Sequence, residues 1–500
     1  FLRRNALATA AASLIGLALI GGIGLALYGL TEARAGRAQA EAAQALAEQR
    51  RGEAEQLIQY MLGDFADKLR PLGRLDLLDS IGAEALKYLG EADMRGDAAS
   101  ALARARALRT LGEVQVTRQQ FEQAAPTLEQ AARLLDEALY SPERHEEQLH
   151  FEAGQVAFWR GHIAYSVRDY AAAEAHMTRY LNEARAFDRI TEDHQTGQHE
   201  IAYALNNLGS LMLAQERPSD ALGHFEHAAQ IRESLLESDS NPHVLDLVDS
   251  LSWVANAQES LGQPRAAQES RKRALARLLA HERAAGASPR ARRFEINLRY
   301  TLDVFGDLLG EEGAGASNLL RAAALAREDA ANDPTQPRRQ LLLALIAYRA
   351  AVKTSDNIET SRQHLAVAER AHQAVSSSQL HEGERLRVSG ARCLALHQLH
   401  LPEANCAIEV MQRIQLLRSA QTSTVDLDLL YVELAAHLPE GKRTHWSEAV
   451  RVLTNLQQSS NRSLRYLVAK RSLLQRSNPT IRDLSEIDLT IADLRSITPP

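Results

Sequence analysis

Residues 204–228, "ALNNLGSLMLAQERPSDALGHFEHA", decide the reading of this chain. A small residue, Gly209, is followed twelve positions later by Ala221, sixteen by Phe225 and nineteen by Ala228. The same offsets from Gly112 reach Ala124, Leu128 and Ala131. From Gly161 they reach Ala173, Met177 and Tyr180, and from Ala255 they reach Ala267, Arg271 and Ala274. Tyr180 and Arg271 depart from the pattern; the other positions fit. Two helices close into a tight hairpin only where small side chains meet, and bulky ones then fill the groove and reach the next hairpin. Phe121, Tyr170, Pro218 and Pro264 each precede the second small residue by three. Proline suits that first helical turn, where its missing N–H costs nothing.

The bulk composition agrees with helices. The chain has 500 residues, 45% of them apolar but only 5% aromatic, with 27 glycines and 14 prolines. That length exceeds one compact core, so domains or a repeat array are expected. The formal net charge of −7 is mild, and no basic run marks a nucleic-acid surface, so no nucleic-acid partner is expected. Two cysteines, Cys393 and Cys406, exclude a disulfide-stapled scaffold but leave room for one bridge.

Residues 5–31, "NALATAAASLIGLALIGGIGLALYGLT", contain no charge and are expected to cross a membrane as one helix. The competing signal-peptide reading, with Ala33-Arg34-Ala35 as cleavage site, fits less well, because a secretory apolar region is usually about 7–15 residues long. Arg3 and Arg4 before the run balance Arg34 and Arg37 after it, so the positive-inside rule gives no orientation. The chain starts at Phe1, not Met, and residues 1–4 are read as the end of a longer upstream region. Residues 32–56 read as a helical stalk that could pair with a second copy in a homodimer. Residues 57–99 read as a juxtamembrane helical region, 100–282 as the repeats, 283–293 as a loop, and 294–500 as degenerate helical hairpins.

The spacing resembles the tetratricopeptide repeat, with Asn206-Asn207-Leu208-Gly209 similar to the kinesin-light-chain type. Successive starts lie 46–49 residues apart, longer than the usual period of about 34. The resemblance implies an all-α solenoid following the membrane helix and stalk. Together with the span and the segment Gly52–Leu89, it resembles the C-terminal region of membrane-anchored bacterial signalling proteins, many with a serine/threonine kinase upstream. That implies a bacterial inner-membrane location with extracytoplasmic repeats, and a module that binds a protein or peptide and regulates the kinase. A tethered scaffold without an enzyme, or repeats from a TIR or winged-helix protein, are the alternatives.

In such an array the first helices of successive units line the groove. The expected exposed binding positions are Arg109, Glu113, Phe158, His162, Tyr165, Tyr203, Asn206, Ser252, Asn256 and Glu259. The asparagines could pair with an extended peptide backbone, and the aromatic rings could supply apolar pockets. No catalytic motif is present, and neither a cofactor nor a metal is expected. "HEEQLH" at 145–150 separates its histidines by five where a zinc-protease helix needs four. Cys393, His397, His400 and Cys406 read first as small core residues beside polar face residues, although two cysteines and two histidines could in principle bind zinc. The same cysteines flank a turn near Leu401-Pro402 almost symmetrically, so a disulfide is the competing reading outside the cytoplasm.

Overall fold

The computed structural model describes residues 6–61, 98–140, 146–236, 243–311, 316–402, 406–438, 443–460 and 464–477, together with 77, 80–85, 87, 487–488, 490–492 and 495. Helices joined by short turns make up these residues, with no strand among them. Two compact units divide the chain at Trp159 and Arg160.

In the first unit, α1 (Ala6–Tyr60) runs unbroken through the expected span and stalk. The large apolar side chains described on it are exposed: Leu14, Leu17 and Leu25 are 69%, 68% and 78% accessible. Among the described residues no helix is long and apolar enough to cross a membrane. Part of the expected span, including the side chains of residues 6–13, lies outside that description, as does most of the juxtamembrane segment from residue 62 to 76. Helices α2 (Ala98–Thr117) and α3 (Phe121–Leu139) form the first hairpin, and α4 (Glu146–Ser166) begins the second.

The second unit continues with α5 (Tyr170–Ile190), α6 (His194–Ala214), α7 (Pro218–Ser234), α8 (Val244–Ser260) and α9 (Pro264–Ala285). Then follow α10 (Pro289–Leu309), α11 (Ala316–Asn332), α12 (Pro337–Lys353), α13 (Ile358–Ser376) and α14 (Glu382–Gln398). The last are α15 (Cys406–Ser419), α16 (Val425–Ala436), α17 (Arg443–Ser460) and α18 (Leu464–Ser477). The loop expected over 283–293 is only Gly286–Ser288: α9 extends to Ala285, and the Ser288 side chain caps α10 by accepting from the Ala291 N–H.

The repeat spacing has a direct steric cause. A Cβ placed on Gly209 would sit 2.6 Å from Phe225 Cε1, and one on Gly161 would sit 2.9 Å from Met177 Cε. Gly112 is covered by Leu128 in the same way. Each glycine therefore receives the bulky residue sixteen positions on. Ala124, Ala131, Ala173, Ala221, Ala228, Ala255, Ala267 and Ala274 are fully buried.

The turns repeat as well. Gln119, Arg168, Glu216 and Gly262, each seven positions past the small residue, have φ of 60°, 64°, 60° and 72°. Around each, the next N–H bonds back across six residues and its own N–H across four, as Gln120 to Gln115 and Gln119 to Val116. This is the Schellman closure of a helix end. It recurs at Gly310, His400 and Gln421, so the hairpin geometry persists beyond residue 290, where the sequence pattern fades.

The first helices of neighbouring hairpins touch one another, α6 with α8, α8 with α10, and α12 with α14. Within this unit they form the inner layer. The C-terminal end folds back: α18 meets α10, and Leu309 shares a core with Tyr466, Leu467 and Ile491. Arg495 Nε donates to the Leu308 carbonyl at 2.9 Å, and Arg265 Nε donates to the Arg495 carbonyl.

Candidate functional site

The face formed by α6, α8 and α10 carries a polar cluster. Arg232, at the end of α7, is 1% exposed. One of its amino groups, Nη1, donates to the Asp246 carbonyl at 2.7 Å and to Ser250 Oγ at 2.6 Å. Its guanidinium lies 4.7 Å from the centre of the Tyr203 ring. Ser250 in turn pairs with the Asn206 amide at 3.1 Å. Asp246 accepts from Arg290 Nη2 at 2.6 Å through Oδ1, while its Oδ2 lies 3.0 Å from His243 Nδ1. Burial alone would raise the Asp246 carboxyl, but the Arg290 and His243 hydrogen bonds and the Arg290 and Arg232 charges hold it below the ordinary range. Burial, with the Asp246 charge, pushes the Tyr203 hydroxyl up to about 12 despite Arg232.

His199, one turn before Tyr203, stacks on His243 with ring centres 3.9 Å apart. Both its ring nitrogens are buried and without a hydrogen-bond partner. Burial first, then His243, hold its pKa below the ordinary histidine value.

Further along the same face, Arg271 Nη2 donates to Asn256 Oδ1 at 3.0 Å and to Glu259 Oε2 at 3.2 Å. Its guanidinium lies 4.3 Å from the Phe305 ring centre. The Arg271 departure from the repeat thus serves a polar clamp across α8, α9 and α10. The other departure, Tyr180, is buried and donates its hydroxyl to Glu200 Oε2 at 2.7 Å.

Measured against expectation, three groove residues are not on an exposed surface. Arg109, Glu113 and Asn206 are 7%, 7% and 8% exposed. Arg109 and Arg106 both reach Glu152 on α4 at 2.7 Å, and Arg109 also meets Glu113 at 3.4 Å. Burial raises the Glu152 carboxyl, but Arg109 and Arg106 together outweigh it and lower its pKa. Asn206 faces Ser250 on the next first helix. The reason is geometric: the side of a first helix that points along the array meets the next first helix before it meets solvent.

The remaining expected residues stay at least partly accessible. Phe158 packs edge-on to Trp159 at 5.0 Å, and Tyr165, 40% exposed, lies 6.0 Å from Tyr170. His162 Nδ1 lies 3.5 Å from Ser166 Oγ, and burial lowers its pKa. Ser252 Oγ donates to its own helix at the Val248 carbonyl, 2.8 Å away. Tyr203, Asn256 and Glu259 join the clusters above.

Sequence reasoning missed His199, Arg232, His243, Asp246, Ser250 and Arg290. The available signal was a charged Arg232 in an otherwise apolar helix face, and the His243–Asp246 spacing of three at a helix start. At the far end of the unit, Cys393 and Cys406 form a disulfide with Cα atoms 5.7 Å apart. That occupies both sulfurs, so the four-residue zinc reading with His397 and His400 falls away.

No family model matches the chain, and no curated protein matches it. Solved structures do. The apo form of the quorum sensor NprR from B. thuringiensis is 13% identical, with a TM-score of 0.50 over 81% of this chain and 99% of that one. Aspartyl phosphate phosphatase F from Bacillus subtilis is also 13% identical, with a TM-score of 0.48 over 80% of this chain and 93% of that one. BtubC from P. vanneervenii is 14% identical over 52% of this chain and 93% of that one, with a TM-score of 0.41. The likeness to NprR is one of fold: this chain is an all-α, tetratricopeptide-like helical solenoid.

Proposed function

We propose that the chain is a membrane-anchored interaction and sensor module. Its inner face binds a peptide or protein, and occupancy regulates an upstream cytoplasmic effector, a serine/threonine kinase. The observation that supports binding is the arrangement on the inner layer. Tyr203, Asn256 and Glu259 offer an aromatic face, an amide and a carboxylate on two touching first helices, held in place from behind by Arg232 and Arg271. Preorganised side chains of this kind bind without a large ordering cost. A likeness in fold to a quorum sensor accords with a sensing role.

The anchor rests on the uncharged run 5–31 and the exposed leucines of α1, which suit a lipid environment. The Cys393–Cys406 bridge accords with repeats on the oxidising side of a bacterial inner membrane. Coupling would require the ligand to favour one arrangement of two anchored copies over another.

The test is a selection of displayed random peptides against the full chain in lipid nanodiscs. Selected sequences should bind the wild type and lose at least about tenfold affinity on Tyr203→Ala combined with Asn256→Ala. Peptides that bind both proteins equally would remove the inner face as the site. An alkaline phosphatase fusion after Ala287 should be active; an inactive fusion with an active cytoplasmic reporter would reverse the topology.

A further inference from the structure

We propose that His199, His243 and Asp246 form a divalent transition-metal site, suited to Zn²⁺, at the joint between α6 and α8. One ligand atom from each residue lies within 4.8 Å of the other two. His243 Nδ1 and Asp246 Oδ2 are 3.0 Å apart, within a few tenths of an ångström of the about 3.3–3.6 Å that two tetrahedral ligands on one ion require.

The independent observation is His199 itself. It is 6% exposed, stacked on His243, and neither ring nitrogen has a partner. A buried polar group without a partner keeps its desolvation cost uncompensated, so such a group calls for a ligand. A metal supplies one, and the neutral imidazole needed for ligation is the form that burial favours.

The surrounding groups leave the carboxylate available. Arg290 takes Asp246 Oδ1, and Arg232 takes the Asp246 main-chain carbonyl and Ser250, so Oδ2 meets only the His243 hydrogen bond, which an ion between the two atoms would replace. Two nearby guanidiniums disfavour hard cations that depend on charge alone. They leave an advantage to ions that bind imidazole strongly, which is the preference of Zn²⁺ and its neighbours. Three protein ligands leave one position open for a further ligand. The ion would join two hairpins across the layer where Asn206 already meets Ser250. The site does not depend on the peptide-binding reading, and the two fail separately.

The full chain, stripped with a chelator and returned to lipid nanodiscs, is titrated with Co²⁺ and then with Zn²⁺. One equivalent of Co²⁺ should produce visible ligand-field bands that Zn²⁺ abolishes, and Zn²⁺ should raise the thermal midpoint. His199→Gln and Asp246→Asn should each weaken binding by at least about tenfold and remove the midpoint shift. His364→Gln removes another histidine with a buried, unpartnered Nδ1, and should change neither. If His199→Gln fails to fold, His243→Gln at the helix cap gives the same reading. Absent bands, bands that survive Asp246→Asn and His243→Gln, or equal losses in His364→Gln would each overturn the site.

Discussion

The hairpins α6/α7 and α8/α9 share one blueprint and differ most where the sixteenth residue meets the small one. In the first, Phe225 lies on Gly209 and is fully buried. In the second, the equivalent pair is Arg271 and Ala255. There Ala255 carries a methyl where Gly209 has none, and the buried Arg271 lies over Phe305 and holds Asn256 and Glu259. One methyl group on the first helix thus accompanies a change from a packing residue to a polar clamp on the candidate binding face. A third solution appears in the first unit, where Arg106 and Arg109 clasp the buried Glu152.

The largest test of this contrast is truncation of each sixteenth residue. Phe225→Ala should cost about 3–5 kcal/mol in a denaturant melt, as a buried ring leaves a cavity. Arg271→Ala should cost less, about 1.5–3 kcal/mol, because its buried charge-assisted hydrogen bonds are lost but Glu259 keeps access to water. Equal losses would mean that the two slots do the same work.

The converse change is at the small residue. Gly209→Ala should cost about 1–3 kcal/mol, since its methyl would collide with the Phe225 ring. Gly209→Ala together with Phe225→Leu should recover part of that loss. Failure to recover would point to strain elsewhere in α6.

At the turn, Glu216 has the left-handed backbone that Gly262 adopts in the next hairpin. Glu216→Gly should stabilise by about 0.5–1 kcal/mol, and Gly262→Ala should destabilise by a similar amount. An unchanged melt in both would remove the turn from the contrast.

The smallest effect concerns acid. Because the Glu152 carboxyl is lowered in the folded chain, its stabilisation is present above its unfolded pKa and is lost as pH falls through the folded value. Glu152→Gln should flatten that acid limb of the stability profile, measured by melts across acidic pH. An unaltered limb would assign the acid sensitivity to other carboxylates.

Much of the scaffold is legible in the chain because packing rules act at fixed offsets. Gly209, Ala221, Phe225 and Ala228 could be placed in one hairpin from spacing alone, and all four pack as that spacing requires. The groove was less legible. Arg109 and Asn206 occupy helix positions that a single hairpin would leave open to solvent, and only the neighbouring Glu152 and Ser250 reveal that they are covered. Those partners lie 43 and 44 residues away, beyond the reach of local periodicity. The Schellman turns were hidden for a different reason: Gln119, Arg168 and Glu216 carry none of the glycine signal normally used to find them.

The return of α18 and Arg495 onto α10 alters how the array should come apart. An open solenoid behaves almost as a one-dimensional chain, with units able to fray from either end. Here α18 is bound to the middle of the unit, so α10 through α18 form a closed circuit of neighbours. Loss of any hairpin within that circuit also breaks its closure. The region should therefore melt in one concerted step, with α9 joined to it through Arg265 and Arg495, while the hairpins before α8 retain the freedom to open singly.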